Sequence, residues 1–329
     1  MNKLSIVLPG VIWPDVADLD YILGKYEYPA LATILAKGKL QAQNWAYSDF
    51  YYQHNFIDKK LSLAENYATQ LGLPKEHGYL LLEPTNLRPD RDRLLIAESA
   101  LLQIDEDEAR SLLGLLNQHF CDDGLKFHYL NDELWLLELA EKVTDLKTYP
   151  LLDIIGSNID EYLPEGKDAL KFHCLLNEIQ MLFFNNEINQ LRQSEGSLSI
   201  NSVWLWDKNY LDLSVDFSHI LSNTSQDVFH KLQEGQLKEQ LTKASLVIID
   251  QAYYPAVYRD SFGWLNILEE LDTKFINPML KMLKLGKITK IDFYLPFLNN
   301  SWQITLSRCD LLKFWQKGNY KNGVIKLSN

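Results

Sequence analysis

NEINQLRQSEGSLSINSVWLWD, residues 186–207, is the stretch on which the reading of this chain turns. It opens as a polar helix and closes as a strand with two tryptophans. Asn189 and Arg192 lie three apart and share one helix face. Ser202, Trp204 and Trp206 alternate with Val203 and Leu205, the period of a strand. A polar helix that runs so directly into a Trp-rich strand either packs two layers together or frames a site.

Working outward, LSIVL (4–8) is a short apolar strand of the kind that sits centrally in an α/β sheet. YPALATILAKG (28–38) reads as a helix, with Pro29 in its first turn and Gly38 as its stop. A second helix is expected at 57–72 and strands at 79–84 and 92–98. An amphipathic helix follows over 104–120, with an acidic first turn. LKFHYL (125–130) and ELWLLEL (133–139) pair as a hairpin across Asn131-Asp132. Residues 168–196 read as one long helix. Further helices are expected at 225–242, 260–284 and 310–317, and strands at 244–250, 290–295 and 302–307. Strands alternate with helices at both ends of the chain, which predicts an α/β sheet covered on both faces. The stretch between is denser in hairpins. The expected organisation is a core domain of residues 1–76 and 166–329, interrupted by an inserted α+β domain of residues 77–165.

The chain has 329 residues, of which 47% are hydrophobic, ample for a core of one or two domains. Its net charge of −12 disfavours nucleic acid as a partner of the whole surface. The charge is uneven. Ten Lys/Arg against Asp292 and Asp310 give residues 273–329 a net +8, leaving −20 on the rest. That basic lobe is either solvated charge or a surface for a protein partner. The three cysteines, Cys121, Cys174 and Cys309, are separated and odd in number, which fits a reducing compartment. Neither a signal peptide nor a membrane span is expected. The expectation is a cytoplasmic protein.

Standard catalytic motifs such as GxxxxGK[ST], GxGxxG, HExxH and GxSxG are missing. The seven histidines include no pair at helical spacing. RPDRDR (88–93) is the densest charge cluster. Its guanidinium groups suit phosphate or carboxylate, although a turn that pairs its own charges reads equally well. The polar face with Asn189 and Arg192 is likewise open between a binding site and a helix end that caps its neighbouring loop. Arg88, Arg91, Asn189, Arg192 and Asn201 are the candidate ligand-binding residues, expected to line a polar cleft for a small anion.

Asn189, Arg192, Gly196, Asn201, Trp204 and Trp206 resemble a pattern of the archaeal-type cofactor-independent phosphoglycerate mutases, N-x-x-R-x-x-x-G-x-x-x-x-N-x-x-W-x-W-G, with Asp207 where that family has Gly. LDIIGSNIDEYLPEGKDAL (152–170), LPGVIWPD (8–15) and YPALATILAKG (28–38) resemble other segments of the same family. ITLSRCDLLKFWQK (304–317) is similar to the narrower bacterial RpfE-type regulatory proteins. The resemblance implies an alkaline-phosphatase-like α/β core with an inserted domain. It also implies phosphoryl transfer through a serine nucleophile held by two divalent metals, Mn or Mg.

The departures weigh against that chemistry. Pro9 stands where the family has a metal-binding Asp. No Pro-Gly-Ser occurs in 39–78, and DQAYYPAV (250–257) lacks the family's His. The reading favours a non-catalytic ligand-binding or regulatory protein with no cofactor and no catalytic residues. The alternative is a metal-dependent phosphoryl-transfer enzyme whose oxygen ligands come from Asp15, Asp18, Asp20, Asp250 and Asp292.

Overall fold

The computed structural model describes residues 3–90, 93–97, 99–184, 186–222, 245–296 and 301–328. In chain order its strands are β1 (Lys3–Val7), β2 (Lys39–Gln43), β3 (Gly78–Asp90), β4 (Arg93–Ala97), β5 (Lys126–Asn131), β6 (Leu134–Leu139), β7 (Ser202–Trp206), β8 (Ile220–Ser222), β9 (Leu246–Ile248), β10 (Lys290–Leu295) and β11 (Ser301–Ser307). They form two sheets in two compact units. Unit 1 comprises Met1–Phe50 with Asp212–Asn329, and unit 2 comprises Tyr51–Leu211.

The sheet of unit 1 has the order β2-β11-β10-β1-β9-β8. β1 runs parallel to both β10 and β9, while β11 and β2 are added antiparallel. Central parallel strands are buried on both faces, which is why β1 and β9 read as short unbroken apolar runs. Leu4, Ile6, Val247, Phe293 and Ile304 turn one face toward the helices Pro29–Lys37, Ser261–Glu270 and Asn277–Lys284. On the other face, Tyr294 packs its ring 5.2 Å from Trp45 and 5.3 Å from Phe50 of the helix Tyr47–Tyr51. The sheet is therefore covered by helices on both faces, as an α/β protein requires.

The helix Pro29–Lys37 starts at a proline, but its cap residue Tyr28 offers no side-chain acceptor. Buried Asp272 supplies one, accepting the Leu31 amide at 2.7 Å. Asp272 lies in a π-helical turn, Leu271–Ile276, that interrupts what the sequence presents as one helix over 260–284. The wider turn is the feature that marks this site.

Unit 2 carries the antiparallel sheet β4-β3-β6-β5, with β7 also paired to β3. β3 is long enough for three partners: Gly78–Leu82 pair with β6, Leu81–Thr85 with β7, and Asn86–Asp90 with β4. The helices Glu106–His119 and Ala169–Phe184 bury Leu112, Leu116, Phe172 and Ile179 against Leu82 and Trp135 of the sheet. Gln53 Nε2 donates to the Leu211 carbonyl at 3.0 Å, so the first and last segments of this unit meet.

The boundaries differ from those expected at residues 77 and 165, both of which fall inside unit 2. Residues 4–8 and 201–206 were expected in one sheet, yet β1 and β7 belong to different ones. The reason is the length of β3, whose middle leaves an edge that β7 fills. The expected helix 168–196 is two helices, Ala169–Phe184 and Glu187–Ser194. Asn186 leaves the helical conformation and caps the second, accepting the Ile188 amide at 2.8 Å. The expected helix 310–317 is replaced by a short one at Arg308–Leu311 and another at Tyr320–Ser328. The helix expected at 225–242 lies outside the described residues.

Gly10, just past β1, has φ +75°, and a Cβ there would stand 2.4 Å from the Ala252 carbonyl oxygen. Gly286 shares that φ but would meet only the flexible tip of Arg308, at 3.4 Å. Gly286→Ala is expected to cost about 1–2 kcal/mol from the left-handed backbone alone. Gly10→Ala adds a backbone collision and is expected to cost about 3 kcal/mol or more. Urea unfolding of the two variants checks this, and equal losses would refute the close approach.

Candidate functional site

Ligands of open α/β sheets bind beyond the carboxyl ends of the strands. In unit 1 several of the described residues past the strands are engaged with one another. Past β1, Gly10 lies against the Ala252–Tyr253 backbone, and the Trp264 indole donates to the Gly10 carbonyl at 2.7 Å. Past β9, Asp250 accepts the Tyr47 hydroxyl at 2.8 Å, and the Tyr47 ring packs 5.0 Å from Tyr253. Burial pushes the Asp250 carboxyl up, and the Tyr47 hydrogen bond opposes it.

Asp292 is not at this end. It pairs in register with Ser5 in mid-strand and is fully buried. Its Oδ1 accepts the Thr305 hydroxyl at 2.6 Å, and Lys3 Nζ lies 2.9 Å from Oδ2. Burial pushes its carboxyl up, but Thr305, Lys3 and Lys290 together bring it below the usual carboxylate range. Asp15 turns back on the Ala17 amide at 3.0 Å, Asp20 pairs with Lys321, and Asp18 is exposed. Among the described residues, no three His, Cys, Asp or Glu side chains form a group suited to a metal ion.

The expected ligand-binding residues are placed in the framework of unit 2. Asn189 is 1% exposed and spends its amide on the backbone. It donates to the Phe183 and Ile200 carbonyls and accepts the Ile200 amide at 2.7 Å. Asn201 makes a reciprocal pair with Leu87, accepting its amide and donating to its carbonyl, both at 2.7 Å. Arg192 is 4% exposed; its Nε donates to the Leu198 carbonyl at 2.7 Å, Nη1 to Glu108 Oε2 at 2.6 Å, and Nη2 to the Leu102 carbonyl. Arg88 is exposed on β3 opposite Leu95. Arg91 lies outside the described residues. The polar residues at 189–201 thus staple the returning chain to β3 and the helix Glu106–His119.

One residue further on, the structure opens. A cavity of about 580 Å³ in unit 2 is bordered by Ser62, Lys142, Lys147, Thr148, Asp207 and Lys208. Ser62 caps the helix Leu63–Gln70 in a reciprocal box with Glu65. Asp207 reinforces that end, its Oδ1 accepting the Ala64 amide at 3.0 Å and the Lys208 amide at 2.8 Å. The Asp207 amide donates to the Thr148 hydroxyl at 2.9 Å, and the Trp204 indole donates to the Tyr149 carbonyl at 2.8 Å. The tryptophan strand therefore aims the carboxyl at its place. Burial pushes the Asp207 carboxyl up to about 7, against the hydrogen bonds from Ser62, Ala64 and Lys208. Lys142 reaches Glu65 at 2.8 Å and Lys147 lies 3.7 Å from Glu165. A ligand-sized cavity lined by three ammonium groups, four hydroxyls and two carboxyls, Glu65 paired with Lys142 and Asp207 pushed up toward neutrality, suits a small phosphorylated or carboxylated molecule.

The sequence marked Asp207 only as a departure from a pattern. It also left the histidines scattered, whereas His77 and His128 both bind Glu138 at 2.6 Å. The signal lay in strand register, since Glu138 pairs with Tyr79 on one side and with Lys126 on the other.

Arg192→Met is expected to destabilise unit 2 by about 3–5 kcal/mol, because it leaves two carbonyls and Glu108 without their donor. Guanidinium unfolding followed by tryptophan fluorescence measures it; a loss below about 1 kcal/mol would return Arg192 to the ligand-binding role. Asp207→Asn keeps the acceptor for Ala64 and Lys208 but cannot ionise. With the folded carboxyl titrating near 7, well above its unfolded value, the wild type loses stability as pH rises through that range. The variant is therefore expected to gain in melting temperature over wild type between pH 5 and pH 8, the gap widening with pH. A gap independent of pH would show that Asp207 ionises as an ordinary carboxylate.

No family model matches the chain. It is 27% identical over 117 residues to the 2,3-bisphosphoglycerate-independent phosphoglycerate mutase of Methanosarcina mazei, covering 35% of this chain and 30% of that protein. A probable enzyme of the same name from Geobacter sulfurreducens is 28% identical over 121 residues, covering 37% of this chain and 30% of that protein. The match thus spans under a third of the length of these relatives. Among solved structures, the PH0037 protein of Pyrococcus horikoshii aligns with a TM-score of 0.47 at 13% identity, over 99% of this chain and 92% of that one. The cofactor-independent phosphoglycerate mutase of Thermoplasma acidophilum aligns at 0.37 and 10% identity, over 98% and 95%. Over about a third of its length, then, the chain is related in sequence to the cofactor-independent phosphoglycerate mutases.

Proposed function

We propose that this protein is a relative of the phosphoglycerate mutases that binds a small phosphorylated or carboxylated molecule and regulates, without carrying out metal-assisted phosphoryl transfer. The observation behind the reading is the carboxyl end of β1. Pro9 offers no side-chain ligand atom there, Gly10 lies against Ala252 and Tyr253, and Asp250 accepts the Tyr47 hydroxyl. Two-metal chemistry needs several oxygen and imidazole ligands held at one place. The cavity beside Asp207 gives the ligand a berth, with Lys142 and Lys147 as its cationic wall. The likeness of residues 304–317 to RpfE-type proteins supports the regulatory part. A cytoplasmic site of action belongs to the same proposal. It rests on three free, exposed thiols, and no helix among the described residues is long and apolar enough to cross a membrane.

The test has two arms. In a coupled assay with Mn²⁺ or Mg²⁺, 3-phosphoglycerate is expected to show no turnover. Metal-dependent turnover abolished by EDTA would establish the enzymatic alternative instead. In a thermal-shift titration, 3-phosphoglycerate at about 100 times its Kd is expected to stabilise the protein by about 2.7 kcal/mol. The double variant Lys142→Ala, Lys147→Ala is expected to cancel that gain. A gain that survives both substitutions would move the ligand elsewhere.

A further inference from the structure

The basic lobe of unit 1 carries a second cavity, of about 630 Å³, unrelated to the one beside Asp207. Its walls are the turn 23–28, the helix Pro29–Lys37 and the segment 314–321. The floor is apolar and close-packed. Ala32 and Ala36 lie one helical turn apart, Tyr28 and Tyr320 are buried beside them, and a Cβ on Gly318 would stand 2.9 Å from that of Ala36. The rim is the opposite. Phe314 and Tyr26, which line the cavity, are 77% and 59% exposed, and next to Phe314 in the chain Leu312 and Trp315 are 70% and 67% exposed, three large apolar side chains within four residues. Phe314 and Trp315 touch only edge to face, at 5.1 Å, which covers little of either. Burying them would be favourable and nothing in the described residues does so, the signature of a surface that meets a partner.

The charges define that partner. Lys25, Lys37, Lys317 and Lys321 line the cavity against one carboxylate, Glu27. Lys37 donates to the Leu311 carbonyl at 3.0 Å and Lys321 pairs with Asp20, so exposed Lys25 and Lys317 present the outward positive charge. We infer that this cavity docks an acidic protein segment bearing an aliphatic or aromatic anchor, the anchor seated over Ala32 and Ala36 and the carboxylates facing Lys25 and Lys317. Aromatic residues with a cationic fringe are the composition that anchors such contacts. A concave floor accepts a projecting side chain, which a flat anionic bilayer does not offer.

The probe is a fluorescein-labelled short peptide of Glu, Asp, Leu and Phe, titrated with the full chain and followed by anisotropy. Saturable binding is expected, weakening as salt rises. The double variant Phe314→Ser, Trp315→Ser is expected to weaken it about tenfold or more, as is Lys25→Glu, Lys317→Glu. All four side chains are exposed, so an unchanged melting temperature verifies that each variant is folded. Replacing the peptide's Leu and Phe by Ala should abolish binding. The inference is overturned if the peptide does not bind, or if both variants bind it as wild type does. It is also overturned if the substitutions instead abolish co-sedimentation with phosphatidylglycerol vesicles or a concentration-dependent dimer seen by sedimentation velocity.

Discussion

The Arg192 guanidinium lies almost wholly out of solvent and divides its donors among the Leu198 carbonyl, the Leu102 carbonyl and the Glu108 carboxylate. Three segments of unit 2 must therefore be in place together, because a buried cation tolerates no missing acceptor. Asn189 and Asn201 extend the same logic along the returning chain, holding Ile200 and Leu87 by paired backbone bonds. Once these groups are satisfied, β7 is fixed on β3 and Asp207 is delivered to the end of the helix Leu63–Gln70. The junction is thus rigid support, and the chemistry begins just beyond it. Asp207 puts an ionisable group at the end of that helix.

Unit 1 uses its polar groups differently. Its buried carboxylates each answer a local demand. Asp272 accepts at a helix start that has no cap of its own, and Asp292 balances Lys3 and Lys290 on adjacent strands. Trp45, Phe50 and Tyr294 form one aromatic cluster on a face of the sheet, and Tyr47 packs against Tyr253. Apolar area buried in this way stabilises the sheet.

Most strands were legible because a buried strand and its turn residues are local signals. β5 and β6 emerge from two apolar-rich runs on either side of the turn residues Asn131-Asp132. The sheet to which β7 belongs was not legible, since SVWLW fits the edge of either sheet, and the choice was made by the length of β3, far away in sequence. Arg192 shows a second limit. Guanidinium groups bind phosphates and backbone carbonyls through the same donors, so only burial separates the two roles. Asp207 was visible as an irregularity, but its significance depends on Ser62 and Thr148, which meet it only after folding.

Gln53 and Leu211 touch, and they stand at the two ends of a continuous run of residues with its own sheet and core. A run whose ends coincide occupies a single point in the chain that hosts it. Removing it and joining Phe50 to Asp212 would need only a short linker, and closing a short loop costs little conformational entropy. The same geometry permits circular permutation, with new termini elsewhere in the unit and the old ones spliced. Unit 2 is in this sense a transplantable cassette, able to change host without redesign of its interior, and its cavity would travel with it.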